Sequence, residues 1–362
     1  MNAEGGEMLR IVFRSALVFI ALVLIGGLTY RLVRQHRNAK ALATRTPNRI
    51  EESMFVKIGG IDQWVQIRGE NRDNPALLIL HGGPGSSYVP FTLTIRSWER
   101  YFTVVQWDQR GSGKTYGRND RTRGGDMTID RMVQDGIEVA EFIRKRLHKN
   151  RVILLGHSWG TILGVSMVQR RPDLFYAYVG TGQVVDMEQN EKVSYEMVLK
   201  RARSSGDEKA IKKLEDIGPP PYRDLSRWFV KQKLIAETAP AIADGLFLEE
   251  KFYTAALFAP NYSLKDSYDF FAATYYSGTT LMKELMSYDA RRLGVKFEIP
   301  MFLFQGESDV NTPTKLVEEY FSTIQAPEKE LVLLKDCGHM AVFSKPDVFL
   351  NELVARIRPL SN

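Results

Sequence analysis

Cysteine is nearly missing from this chain: Cys337 is the only one in 362 residues, so neither an internal disulfide nor a CxxC metal site can form. Histidine is scarce as well, with five residues and no H-E-x-x-H spacing, and no metal or cofactor is expected. Low-complexity tracts and internal repeats are absent. So is a surplus of one charge in the folded part. The whole formal charge of +6 is accounted for by residues 1–50, where Arg10, Arg14, Arg31, Arg34, Arg37, Lys40, Arg45 and Arg49 face only Glu4 and Glu7. The rest is balanced, which argues against a nucleic-acid groove.

Long hydrophobic runs are lacking too, with one exception. Residues 15–30 (SALVFIALVLIGGLTY) carry no charge, and apolar character begins at Met8. At ~1.5 Å per residue the uncharged run covers about 24 Å, short of a ~30 Å hydrocarbon core, so Arg14 has to snorkel. A core helix would show a polar face, and a signal peptide would end in small residues. Ile25-Gly26-Gly27-Leu28-Thr29-Tyr30 ends in bulky ones and leads into a basic stretch. The segment is therefore expected to be a membrane anchor at residues 1–30, in contact with the bilayer through residues 8–30, followed by a basic linker at 31–50. The surplus of basic residues after the run favours a cytoplasmic catalytic domain, with export as the alternative.

What is present beyond residue 50 alternates. A hairpin is expected over 54–58 and 61–67 around Gly59-Gly60, then short apolar runs at 76–80, 102–107, 151–155, 176–179, 300–304 and 331–334. Helix-period segments lie between them, such as 128–147 with Asp126 or Thr128 as cap. This predicts an α/β fold: a mostly parallel sheet with helices on both faces, the core at 51–182 and 291–362. Residues 183–290 interrupt the alternation and read as an inserted helical lid.

Gly156-His157-Ser158-Trp159-Gly160 is a G-x-S-x-G sequence between a predicted strand and a helix-compatible run, the context of a nucleophile elbow. Alone it is a weak signal. Chain order strengthens it: Asp309 and His339 follow the next two predicted strands, in the order nucleophile, acid, base. Of the histidines, His36 lies in the linker, His148 ends a basic helix, His157 adjoins the serine and His81 opens a glycine loop, leaving His339 as base. Glu307 and Asp336 compete with Asp309 for the acid. Cys337 reads as a small packed residue. His81-Gly82-Gly83-Pro84-Gly85 fits an oxyanion loop, with N–H donors from Gly83 and Trp159.

Arg110-Gly111-Ser112-Gly113-Lys114-Thr115 imitates a P-loop, but Asp108 stands where its first glycine belongs. The following residues, YGRNDRTRGG, do not read as a helix start. No nucleotide is expected.

With HGGPG at 81–85, WDQRGSGKT at 107–115, GHSWGT at 156–161, GESDVNTP at 306–313 and CGHM at 337–340, the chain resembles the proline iminopeptidase branch of the α/β hydrolases. The resemblance implies the α/β-hydrolase fold, a triad of Ser158, Asp309 and His339, an oxyanion hole from Gly83 and Trp159, and structural roles for Asp108 and Arg110. His157, where glycine is usual, and the N-terminal anchor depart from the family pattern. The activity so implied is that of a serine aminopeptidase releasing N-terminal residues, proline preferred, from peptides. The alternatives are an esterase or amidase on small acyl substrates and, in a different class, a non-catalytic membrane-anchored binding protein. An aminopeptidase needs a carboxylate for the substrate ammonium. Glu249 and Glu250 are candidates, with Glu188, Glu191 and Glu196, although each also reads as a solvated helix residue.

Overall fold

A computed structural model describes residues 3–123, 125–222, 224–238 and 253–361. Its first helix, α1 (Ala3–Leu42), leads to the hairpin β1 (Ile50–Ile58) and β2 (Ile61–Gly69). Gly59 and Gly60 both take positive φ at the tip, where side chains would strain the turn. The strands β3 (Ala76–Leu80), β4 (Thr103–Trp107), β5 (Val152–His157), β6 (Phe175–Thr181), β7 (Met301–Gly306) and β8 (Lys329–Leu334) complete an eight-stranded sheet of order β1-β2-β4-β3-β5-β6-β7-β8. The β1–β2 and β2–β4 pairs are antiparallel; from β4 to β8 every pair is parallel. Strands β3 to β7 are almost wholly buried, as continuous apolar runs covered on both faces require. The strand order reverses at β3, so the carboxyl ends of β3 and β5 open onto a crevice.

Helix α2 (Gly113–Arg123) follows β4, and α3 (Ile129–Leu147) and α4 (Trp159–Arg170) flank β5 in sequence. The Thr128 hydroxyl caps α3 by accepting the Arg131 N–H at 3.1 Å. The expectation that no helix starts after Thr115 is overturned by α2. Its polar sequence hides it, because its amphipathicity is weak and its partners come from elsewhere: Tyr276 packs on Tyr116, and Asp266 pairs with Lys114. Its first turn is capped by Asp108, which accepts the Lys114 N–H at 2.8 Å. A carboxylate thus occupies the place where a P-loop would hold phosphate.

Between β6 and β7 lie α5 (Met187–Ser205), α6 (Glu208–Ile217), α7 (Leu225–Thr238), α8 (Tyr253–Phe258) and α9 (Leu264–Met286). Tyr195, Val198, Leu214 and Leu234 form a small core of their own here, apart from the two clusters on the sheet faces. After β7 come α10 (Thr314–Thr323), then, beyond β8, α11 (Ala341–Ser344) and α12 (Pro346–Glu352).

The basic segment 31–50 differs from a simple linker. Helix α1 continues through it to Leu42, whose carbonyl accepts from Arg68 Nη2 at 2.5 Å. Arg31 and Gln35 donate to backbone carbonyls at 257–262, so α1 is docked on the domain. One window within Arg10–Leu42 is long and apolar enough to cross a membrane, and none of it is buried by the protein.

Candidate active site

The turn from β5 into α4 places Ser158 at φ 54 and ψ −123, a strained conformation for a residue with a side chain. It persists because its neighbours admit no alternative. A Cβ on Gly160 would lie 2.1 Å from the Leu80 carbonyl oxygen, and one on Gly156 would lie 2.8 Å from the Gly160 oxygen. Strand β3 and helix α4 therefore meet at backbone distance, and the Ser158 side chain stands out of the turn.

The loops after β7 and β8 bring the predicted partners to it. Ser158 Oγ lies 2.9 Å from His339 Nε2, and His339 Nδ1 lies 3.0 Å from Asp309 Oδ2. The two rival acids are elsewhere: Glu307 and Asp336 are exposed, and Asp336 faces Lys345 at 3.6 Å. Asp309 is fully buried. Burial alone would raise its pKa, but the charge of His339 and hydrogen bonds from His339 and Thr312 outweigh it and hold the carboxyl below its ordinary value. Such a line can take a proton from the hydroxyl and store it on the imidazole while a carboxylate balances the charge.

Thr312 and Gln305 are not among the predicted residues, yet both orient Asp309. Thr312 donates its N–H at 2.9 Å and its hydroxyl at 2.7 Å, and Gln305 Nε2 donates at 2.9 Å. The Asp-x-x-Thr spacing, typical of a side chain that caps its own turn, is the available signal for Thr312.

Gly83 and Trp159 line the same cavity of about 160 Å³ as Ser158 and His339. As the first residue of α4, Trp159 has no acceptor for its N–H within its own helix. Gly83 is held at φ +121, where a Cβ would meet Gly85 N at 2.6 Å. Gln109, also missed in the sequence, ties the two sides together. It donates its N–H to His81 Nε2 at 3.2 Å and its amide to the His81 carbonyl at 3.1 Å, and it accepts Trp159 Nε1 at 2.9 Å.

His157 is a neutral strut. Its Nε2 donates to the His339 carbonyl at 2.7 Å, which leaves Nδ1 to accept the Tyr88 hydroxyl. Burial, and then the charge of His339, pull its pKa down to about 3. Cys337 is packed, with Sγ on the Leu334 carbonyl at 3.2 Å. Arg110 is buried against Asp135 at 2.8 Å.

From α5 the cavity is lined by a charged residue, Glu191. Glu191 is buried rather than solvated: Lys231 Nζ lies 2.6 Å from its carboxylate, and Trp228 Nε1 donates to it at 3.2 Å. Lys231 falls three residues before Leu234 and four before Ile235, on the buried face of α7, which is a legible sign that it is covered. Glu188 and Glu196 are exposed, and Glu249 and Glu250 lie outside the described residues.

A strand–serine–helix turn at the switch point of a mostly parallel sheet defines a hydrolase of the α/β class. A family model described as the alpha/beta hydrolase fold matches residues 75–206. A probable aminopeptidase, YbaC of Bacillus subtilis, is 30% identical over 310 residues, covering 84% of this chain and 95% of that protein. The chain therefore belongs to the α/β-hydrolase family. Among solved structures, a proline iminopeptidase-related protein from Thermus thermophilus superposes with a TM-score of 0.56 at 22% identity, covering 86% of this chain and 99% of that one. A membrane phospholipase A superposes with a TM-score of 0.59 at 16% identity, covering 97% and 99%. At these identities the two structures speak for the fold alone.

Proposed function

We propose that the protein is a serine aminopeptidase that releases an N-terminal residue, proline preferred, through an acyl-enzyme. The observation that carries this reading is Glu191, a buried carboxylate on the wall of the cavity that Ser158 and His339 also line. A free ammonium leaving water for a closed pocket needs such a partner. The likeness to YbaC supports it.

In the first half-reaction Ser158 Oγ attacks the carbonyl carbon of the N-terminal residue and its proton passes to His339 Nε2. Asp309 holds the Nδ1 proton, and the N–H groups of Gly83 and Trp159 meet the oxyanion. Collapse breaks the C–N bond, and the departing amine takes the proton from Nε2. Water then attacks the ester, gives its proton to His339, and the free amino acid leaves as Ser158 recovers that proton.

A second reading, an esterase on small acyl substrates, draws on Lys231. Its ammonium already neutralises Glu191, so this wall offers no net charge. The test compares prolyl-naphthylamide with its N-acetylated form and with short acyl esters. The aminopeptidase should lose more than about tenfold in kcat/KM on acetylation, roughly the 1.5 kcal/mol or more of one charge-assisted hydrogen bond. Rapid ester turnover with no penalty for a blocked amine would replace the first reading by the second.

We further propose that α1 anchors the enzyme in a membrane, the catalytic domain lying on the cytoplasmic side. The exposed apolar window of α1 and the basic residues after it support this.

A further inference from the structure

Helix α9 presents two unlike faces. Phe270, Ala273, Ser277 and Leu281 are buried against the domain. On the other face Leu264, Tyr268, Phe271 and Tyr275 are 59%, 72%, 46% and 61% exposed, at successive spacings of four, three and four residues. Such spacing makes one continuous stripe, and an apolar stripe left in water is a liability.

The docking of α1 fixes the depth at which this stripe begins. Arg31 donates to the Leu257 carbonyl at 3.1 Å and to the Tyr262 carbonyl at 2.5 Å; Gln35 donates to the Ala259 and Tyr262 carbonyls at 2.9 and 2.8 Å. Asn38 reaches the Phe258 carbonyl at 2.9 Å, and the Tyr30 ring meets Phe258 edge-on at 5.6 Å. The clamp therefore starts where the uncharged run of α1 ends, at Tyr30. From Arg31 to Asn38 is about 10 Å of helix, enough to cross a headgroup layer of roughly 5–7 Å. The chain leaves that clamp at Tyr262 and enters α9 at Leu264.

We infer that the Leu264–Tyr268–Phe271 end of this stripe lies in the interface of the bilayer that α1 spans, and that the lid docks on lipid. Tyrosine, with an apolar ring and a wet hydroxyl, suits that layer. Arg34 lies over the Phe258 ring beside the clamp and offers a cation at headgroup level. The same helix reaches the site: Thr274 Oγ1 lies 3.3 Å from Ser86 Oγ, and both Ser86 and Leu285 line the Ser158 cavity. Lipid contact thus bears on the element that roofs the oxyanion loop. The inference rests on α1 being the anchor.

The test uses the full chain in vesicles of phosphatidylcholine and phosphatidylglycerol that carry a nitroxide on the headgroup or at mid-chain. Fluorophores are placed by Ile20→Cys, Tyr268→Cys and, as a water-facing control on α6, Lys209→Cys; Cys337 is buried. Mid-chain nitroxide should quench position 20, and headgroup nitroxide should quench position 268 several-fold more than position 209. Quenching at 20 with 268 no different from 209 overturns the docking and leaves the anchor standing. No quenching at 20 overturns the anchor and the docking with it. Self-association through the fluorophore at 268 without lipid quenching assigns the stripe to a second copy of the chain and overturns the inference.

Discussion

The two walls of the Ser158 cavity are built on different principles. The sheet-side wall is held in place by backbone: Gly160 abuts the Leu80 carbonyl, Gly83 is fixed at a positive φ, and Gln109 ties the His81 loop to Trp159. The opposite wall is made of side chains on helices that have their own small core, with Glu191, paired with Lys231, as its charged feature. A wall of backbone cannot change without moving strands, whereas a wall of side chains can be rewritten one residue at a time. In the proposed reading the chemistry sits on the first and the choice of substrate on the second.

The largest effect should come from the line of three residues on the sheet side. Ser158→Ala and His339→Ala should each lower kcat about 10⁴- to 10⁶-fold, the range for residues that act as a unit. A fluorophosphonate probe should label the wild type and leave Ser158→Ala unlabelled. Equal labelling of both would remove Ser158 from the mechanism.

Legibility in the sequence follows the same division. The strands β3 to β7 are readable because a strand covered on both faces must be apolar along its length, and the apolar run at 76–80 matches β3 residue for residue. The hairpin and α3 are readable from Gly59-Gly60 and from the Thr128 cap. Helix α2 is not, since its partners Tyr276 and Asp266 are more than a hundred residues away and periodicity carries no trace of them. Chain order nominates Ser158, Asp309 and His339, and the fold brings all three together. Glu191 is only one of five candidate glutamates in the sequence, because its burial depends on Lys231 and Trp228 from another helix. The length of α1 is underestimated for a similar reason: residues 31–42 are too polar to be read as buried, and what holds them is the carbonyl groups at 257–262.

The difference between the walls is sharpened by a pair of substitutions. Gly160→Ala puts a methyl 2.1 Å from a carbonyl oxygen of the neighbouring strand, which cannot yield as a side chain would. It should cost more than ~3 kcal/mol of stability in denaturant unfolding. The double variant Glu191→Gln with Lys231→Met removes both charges together and should cost less than ~1 kcal/mol, because a buried pair replaced as a pair is near neutral. Equal costs would mean that the lid is as rigidly specified as the sheet.

On the sheet side the buried titratable groups set a dependence on pH. His81 and His157 are pulled down to about 4 and about 3, in each case chiefly by burial, so acid protonates them in the unfolded chain first. Their contribution to stability is complete above pH 6.5 and is lost as pH falls below it. Asp108 works in the opposite sense. Burial raises its carboxyl to about 7, against hydrogen bonds from Ser87 at 2.5 Å and the Lys114 N–H at 2.8 Å. Its stabilisation is complete below the free value of 3.8 and fades as pH rises through about 7, so acidification restores it and offsets one of the two histidines. Asp108→Asn deletes the offset. Between pH 6.5 and about pH 5 the variant should lose about 2 kcal/mol more unfolding free energy than the wild type does, at ~1.4 kcal/mol per pH unit for one proton. Denaturant titrations of both proteins at the two pH values measure this difference in slope, separately from whatever the substitution costs at a single pH. Parallel lines would mean that Asp108 is ionised throughout the range and that its hydrogen bonds outweigh its burial.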